Sequence, residues 1–205
     1  TSYRDSEGRN MFFVAILLAY LLGSISFSYL VTYKLKGIDI RQYGSGNAGA
    51  TNTLRVVGKG PAALVFLLDA VKGMAAVGIG ELFGGEPALL MATGVAAIVG
   101  HNWPVFLNFR GGKGIATTIG VTALLTFKAA LVSGIFAVLA ILLTRYVSVG
   151  SLLFVTLLPV MIAWMDYPPA YFWISLFITL LGWFRHWDNI KRLMRGTENR
   201  IGARK

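Results

Sequence analysis

The sequence predicts an all-α integral membrane protein with seven transmembrane helices, its N-terminus outside and its C-terminus in the cytoplasm. Three observations predict this. The 205-residue chain is 56% hydrophobic and only 14% charged, too apolar for a domain that must keep a watered surface. Seven apolar stretches bounded by charge or turn residues recur along it, and in lipid each must be helical, because backbone groups there find partners only within the segment. Counted as crossings, the seven stretches sort most of the basic residues to one side.

The polar segment 1–10 (TSYRDSEGRN) reads as an appended leader ahead of a native start at Met11, leaving 11–205 as one membrane domain with a short cytosolic tail. The first span, 11–33, is too long for a signal-peptide core and lacks a cleavage site, so it stays attached. The others are 60–80, 87–109, 114–127, 129–144, 146–165 and 167–184. The fourth and fifth are short for a hydrocarbon core of about 30 Å. Joining them into one helix over 114–144 gives six crossings, and charge decides against that. With seven crossings one side holds Lys34, Lys36, Arg41, Arg55, Lys59, Arg110, Lys113, Arg145, Arg185, Lys191, Arg192, Arg195, Arg200, Arg204 and Lys205, 15 of the 19 basic residues. Six crossings would export the basic tail. Topology thus accounts for a net charge of +10 without a nucleic-acid partner.

The basic side also collects the polar motifs. Gly44-Ser45-Gly46-Asn47-Ala48-Gly49-Ala50-Thr51-Asn52, followed by Arg55, lets backbone N–H groups approach an anion and adds a guanidinium fork for phosphate. Gly111-Gly112-Lys113-Gly114, opening the fourth span before Thr117, places free N–H groups, a positive helix end and a lysine together. It lacks the Gly-x-x-x-x-Gly-Lys-Ser/Thr spacing of a nucleotide-hydrolysing loop. Beyond the seventh span His186, Asn189, Ile190 and Leu193 would share a helical face, with Arg192 nearby. Ser148 and Ser151 begin the sixth span, where either could cap the helix or meet substrate. Asp69 and Lys72, three apart inside the second span, are expected to form an ion pair.

With no cysteine in the chain, thiolate nucleophiles and Cys-type zinc sites are excluded. There is no His-x-x-x-x-Asp acyltransferase motif: the residue five after His101 is Phe106, and five after His186 is Lys191. Nor is there a Gly-x-Ser-x-Gly elbow or an Asp-rich metal cluster. Neither metal nor cofactor is expected. Two phosphate-type loops at a lipid–water interface suggest a polar phosphorylated substrate meeting one with an apolar tail. The competing reading is a transporter or channel for a phosphorylated anion, but polar residues gathered at one face rather than the midplane argue against it.

Three motifs resemble the bacterial acyl-phosphate:glycerol-3-phosphate acyltransferases: Ser45-Gly46-Asn47-x-Gly49-Ala50-Thr51-Asn52-x-x-Arg55, His101-x-x-Pro104-x-Phe106-x-x-Phe109-x-Gly111-Gly112-Lys113-Gly114-x-Ala116-Thr117, and His186-x-x-Asn189-x-x-Arg192-Leu193-x-x-Gly196-x-Glu198. Leu68-Asp69-x-x-Lys72-Gly73 is similar too, so the resemblance covers nearly the whole chain. It implies transfer of a fatty acyl group from acyl phosphate to the 1-hydroxyl of sn-glycerol 3-phosphate, giving lysophosphatidic acid and phosphate, the first step of phospholipid synthesis at the cytoplasmic face of the bacterial inner (plasma) membrane. Neither acyl-CoA nor acyl carrier protein would be the donor. As catalytic residues we expect Ser45, Lys113, His186 and Asn189. As substrate-binding residues we expect Gly46, Asn47, Thr51, Asn52, Arg55, Gly111, Gly112, Gly114, Thr117, Ser151 and Arg192. A substrate phosphate is the expected proton acceptor, with His186 and His101 as titratable alternatives.

Overall fold

The computed structural model describes residues 2–202, with side chains from residue 8 onward. Ten α-helices are connected by turns and two single-turn 3-10 segments: α1 (Ser2–Gly23), α2 (Phe27–Lys36), α3 (Ala50–Val56), α4 (Lys59–Leu82), α5 (Pro87–Asn102), α6 (Ile115–Leu125), α7 (Phe127–Thr144), α8 (Val147–Trp164), α9 (Pro169–Arg185) and α10 (Trp187–Met194). The chain forms two compact units, Thr1–Leu125 and Thr126–Lys205.

Burial inverts the pattern of a water-soluble protein. The fully buried positions are mostly small or polar, among them Ala15, Ala19, Ser24, Ser28, Thr32, Thr93 and Thr122, while Leu143 and Leu180 are 85% and 70% exposed. Lipid tails are as apolar as leucine, so helices in a bilayer associate through small residues that allow close backbone approach. Among the described residues five segments are long and apolar enough to cross a membrane: Gly8–Lys36, Lys59–Leu82, Pro87–Leu107, Phe127–Thr144 and Val147–Trp164. α6 has 11 residues and α9 has 17.

In the first unit α4 packs on α1, α5 and α6, and α1 packs on α5. Gly23 and Gly100 make the α1–α5 approach, the first against the Ala97 backbone and the second against Tyr20 O. Two expected spans differ from the sequence reading. The first is broken at Ser24–Ser26, where Ser26 caps α2 by accepting from Tyr29 N at 3.4 Å. The third stops at Asn102, since the residue before Pro104 is pushed out of helical geometry, and the chain then turns through Asn108 and Phe109 at positive φ.

In the second unit α7 packs on α8 and α8 on α9. Thr179 Oγ1 donates to Val155 O at 2.6 Å, and Trp183 Nε1 to Thr156 Oγ1 at 2.9 Å. After α10 the tail returns to the α7–α8 corner. There Ile201 N donates to Arg145 O at 2.8 Å, and Arg200 stacks on Tyr146. The helical pattern over 114–144 is interrupted at Thr126 (φ −139°, ψ 48°), so α6 and α7 are separate helices.

Candidate active site

The first unit brings both glycine-rich loops together. The Ser45–Asn52 loop is shaped by Asn52, buried beneath it: Oδ1 accepts from Ser45 N at 2.9 Å, and Nδ2 donates to Tyr43 O at 2.9 Å and Ile40 O at 3.2 Å. Asn52, expected to bind substrate, thus has its carboxamide engaged by the loop. Ser45, Gly46 and Arg55 are exposed, and Asn47 and Thr51 half-buried.

The Gly-Gly-Lys-Gly loop lies over the end of α5. Gly112 N donates to His101 O at 3.0 Å. A Cβ on Gly112 would run into His101 Nε2 and come within 2.8 Å of Ala48 O, so glycine is required here by close approach. At Gly114 a φ of +78° makes the demand conformational. Lys113 is half-buried between them. Thr117 is fully buried, and its hydroxyl has no hydrogen-bond partner among the described residues.

A second link between the loops comes from Arg41, which donates from Nη1 to Leu107 O at 2.8 Å and grips Asp39 with Nη2 at 2.6 Å. That hydrogen bond holds the Asp39 carboxyl below its ordinary range, although burial opposes it. Around this pair opens a cavity of about 550 Å³ lined by Asp39, Arg41, Gln42, Gly46, Asn108 and Arg110. Apart from Gly46, sequence reasoning missed these residues, because it took Arg41 and Arg110 only as topological charges.

Beneath the loops lies a buried cluster on α4 and α5. Asp69 and Lys72 form the expected ion pair at 2.8 Å, and His101 Nδ1 stands 3.0 Å from Lys72 Nζ. Next to His101, Asn102 is fully buried, and neither its Oδ1 nor its Nδ2 has a partner among the described residues.

The second unit gathers its polar residues on Glu198. Its Oε1 accepts from Asn189 Nδ2 at 2.6 Å and Ser148 Oγ at 2.9 Å, and its Oε2 from Arg192 Nε at 2.7 Å. Burial pushes this carboxyl up. The hydrogen bonds from Asn189, Arg192 and Ser148, with the Arg192 charge, outweigh that and hold it below its ordinary value. Ser148 is therefore a partner of Glu198, and α8 has no side-chain cap. Ser151 is buried one turn on. His186, also buried, has Nδ1 at 2.8 Å from Gly182 O. A carbonyl only accepts, so Nδ1 carries the proton and Nε2 is the basic nitrogen. The sequence motif gives Glu198 no role, and no local spacing could show that it ties α8 to α10.

The profile described as Glycerol-3-phosphate acyltransferase matches residues 13–196. The chain belongs to that family. It is 52% identical to a glycerol-3-phosphate acyltransferase of Halalkalibacterium halodurans, with 93% of this chain and 95% of the relative covered. It is 51% identical to another of Shouchella clausii, with 92% and 95% covered. Among solved structures it is similar to PlsY (YgiH), an integral membrane glycerol 3-phosphate acyltransferase. The glycerol 3-phosphate form matches with a TM-score of 0.88 at 39% identity, covering 93% of this chain and 96% of that one. The lysophosphatidic acid form matches at 0.86 and 38%, covering 93% and 95%. The family member described here is accordingly an all-helical, multi-pass membrane protein and an acyltransferase.

Proposed function

We propose that this acyltransferase moves a fatty acyl group from acyl phosphate to the 1-hydroxyl of sn-glycerol 3-phosphate at the cytoplasmic face of the bacterial inner membrane. The single observation that carries the reading is the folding of two anion-type loops, Ser45–Asn52 and Gly111–Gly114, onto one another around His101 and Ala48. Both substrates present a phosphate, and only the donor carries a tail that needs lipid.

In the proposed reaction the glycerol oxygen attacks the acyl carbonyl, the bond from carbonyl carbon to phosphate oxygen breaks, and inorganic phosphate leaves with the electron pair. Acyl phosphate is already an activated donor, so positioning and charge neutralisation suffice without a protein nucleophile. Backbone N–H groups of Gly111 and Gly114, with Lys113, the Ser45 hydroxyl and Asn47, hold the donor phosphate and the developing oxyanion, while Gly112 and Gly46, whose N–H groups bond His101 O and Tyr43 O, shape their loops. In the first unit Arg55 is the proposed contact to glycerol phosphate, with Thr51 and Thr117 as further contacts and Asn52 shaping its loop; in the second unit the proposed substrate contacts are His186, Asn189, Arg192 and Ser151. The hydroxyl proton passes to the leaving phosphate. Of the alternatives, His101 has Nδ1 occupied by the Lys72 ammonium, and His186 has Nδ1 turned to Gly182 O. A pH–rate profile of His186→Gln separates the cases: loss of a limb with KM intact would make His186 the base.

We further propose seven crossings, with the N-terminus outside and the tail in the cytoplasm. The absence of native cysteine makes labelling of Arg200→Cys and Lys128→Cys free of background. Arg200→Cys should react only from the cytoplasmic side and Lys128→Cys only from outside. The activity is tested with purified protein, glycerol 3-phosphate and either palmitoyl phosphate or palmitoyl-CoA. Release of phosphate with lysophosphatidic acid from palmitoyl phosphate alone is expected. Equal turnover of the CoA ester would refute the donor, and turnover of neither would favour a transporter.

A further inference from the structure

We propose that His101 is a positioning residue for the acyl transfer, held by the Asp69–Lys72 pair so that its Nε2 edge sets the Gly111–Gly114 loop against the Ser45–Asn52 loop. The proposal rests on the acyl-phosphate reading above.

It begins with a buried ion pair that stability alone explains poorly. Asp69 and Lys72 are 1% and 2% exposed on α4. Replacing such a pair by apolar residues is often neutral or stabilising, whereas an ionisable residue inside a membrane marks function by default. Lys72 directs its ammonium to three acceptors: Asp69 Oδ1 at 2.8 Å, Ile25 O in the break between α1 and α2 at 2.7 Å, and His101 Nδ1 at 3.0 Å. The Phe27 ring centroid, 5.6 Å away, adds a fourth contact. An ammonium has no lone pair to accept with, so His101 Nδ1 is the acceptor and the neutral ring carries its proton on Nε2.

That Nε2 edge is where the loops meet. The His101 carbonyl takes the Gly112 N–H at 3.0 Å, and the ring lies so close to Gly112 that a Cβ there would strike Nε2. The same Cβ would sit 2.8 Å from Ala48 O in the other loop. A chain of contacts thus runs from Asp69 through Lys72 and His101 to the backbone that holds the donor phosphate. A clasp between α4 and α5 alone requires no imidazole pressed on a loop glycine.

Steady-state kinetics in acyl phosphate on the full chain, with thermal unfolding in parallel, tests this. Asp69→Leu/Lys72→Met is expected to unfold at or above the wild-type temperature. Its KM for acyl phosphate should rise about tenfold while kcat changes less than about threefold. His101→Ala should raise KM similarly, and His101→Gln, which can return an N–H to the place of Nε2–H, should recover most of the loss. A wild-type KM in either the double variant or His101→Ala overturns the proposal. So does failure of the double variant to fold, which would make the pair purely stabilising, or a loss in His101→Gln equal to that in His101→Ala. A wild-type protein inactive with acyl phosphate would instead remove the functional reading beneath it.

Discussion

Replacing Glu198 by glutamine changes one oxygen of a carboxylate into an NH2 group, and the structure leaves that group no neutral place to go. Against Arg192 it sets donor against donor where a 2.7 Å charge-assisted bond stood, and releases a guanidinium whose side chain is already 35% exposed. Against Oε1's partners it lets the Ser148 hydroxyl turn and accept, but Asn189 must reverse its carboxamide, exchanging Oδ1 for Nδ2 on its other side. Either rearrangement moves a proposed substrate-binding group. A hydrogen bond to a charged group is worth about 1.5–3 kcal/mol. A loss of about 2 kcal/mol corresponds to roughly 30-fold in kcat/KM at about 1.36 kcal/mol per decade. Phosphate release from palmitoyl phosphate measures it, and thermal unfolding identifies any loss of folded protein. A folded Glu198→Gln within about threefold of wild type would refute the reasoning.

The pH dependence follows from the same carboxylate. Its folded value lies below the unfolded one of about 4.3, so its contribution is fully present above that value and disappears as pH falls through the lowered folded value. Hydrogen exchange across α10 should be unchanged by mild acid and lose protection only in that lower window. Gly112→Ala drives a Cβ into His101 and against Ala48 O. Overpacking costs about 1–3 kcal/mol, and a shift of about 1 Å at the loop should lower kcat/KM about a hundredfold with helicity by circular dichroism retained. Asn102→Leu removes a buried carboxamide that has no partner among the described residues. An unpaired buried group costs about 1–3 kcal/mol, so the unfolding temperature should hold or rise, and a marked fall would show that the amide is satisfied.

The long helices were legible because hydropathy is local: α4 (Lys59–Leu82), α7 and α8 begin and end within three residues of the apolar runs that announced them. The glycine loops were legible for a related reason, since small residues and N–H donors at a helix start are adjacent in sequence. The break at Ser24–Ser26 was not, because the run from 11 to 33 carries no charged residue to divide it. The kink is stabilised from outside the run, by Lys72 from α4 bonding Ile25 O. Likewise the Asp69–Lys72 pair was visible at a spacing of three, but its extension to His101 spans 29 residues and belongs to the packing of α4 on α5.

By itself, then, the sequence determined the membrane as solvent, the helices that lie in it and the phosphate-type loops, each following from residue chemistry within a few positions of itself. Tertiary structure alone decided, within each unit, which buried polar side chains meet. His101 acts on Gly112 and Ala48, Asn52 beneath Ser45, and Glu198 on Ser148, Asn189 and Arg192. The physical reason is that a buried hydrogen bond or charge must find its partner wherever packing supplies one, whether nearby in sequence, as for Asn52 and Ser45, or far along the chain, as for Glu198 and Ser148.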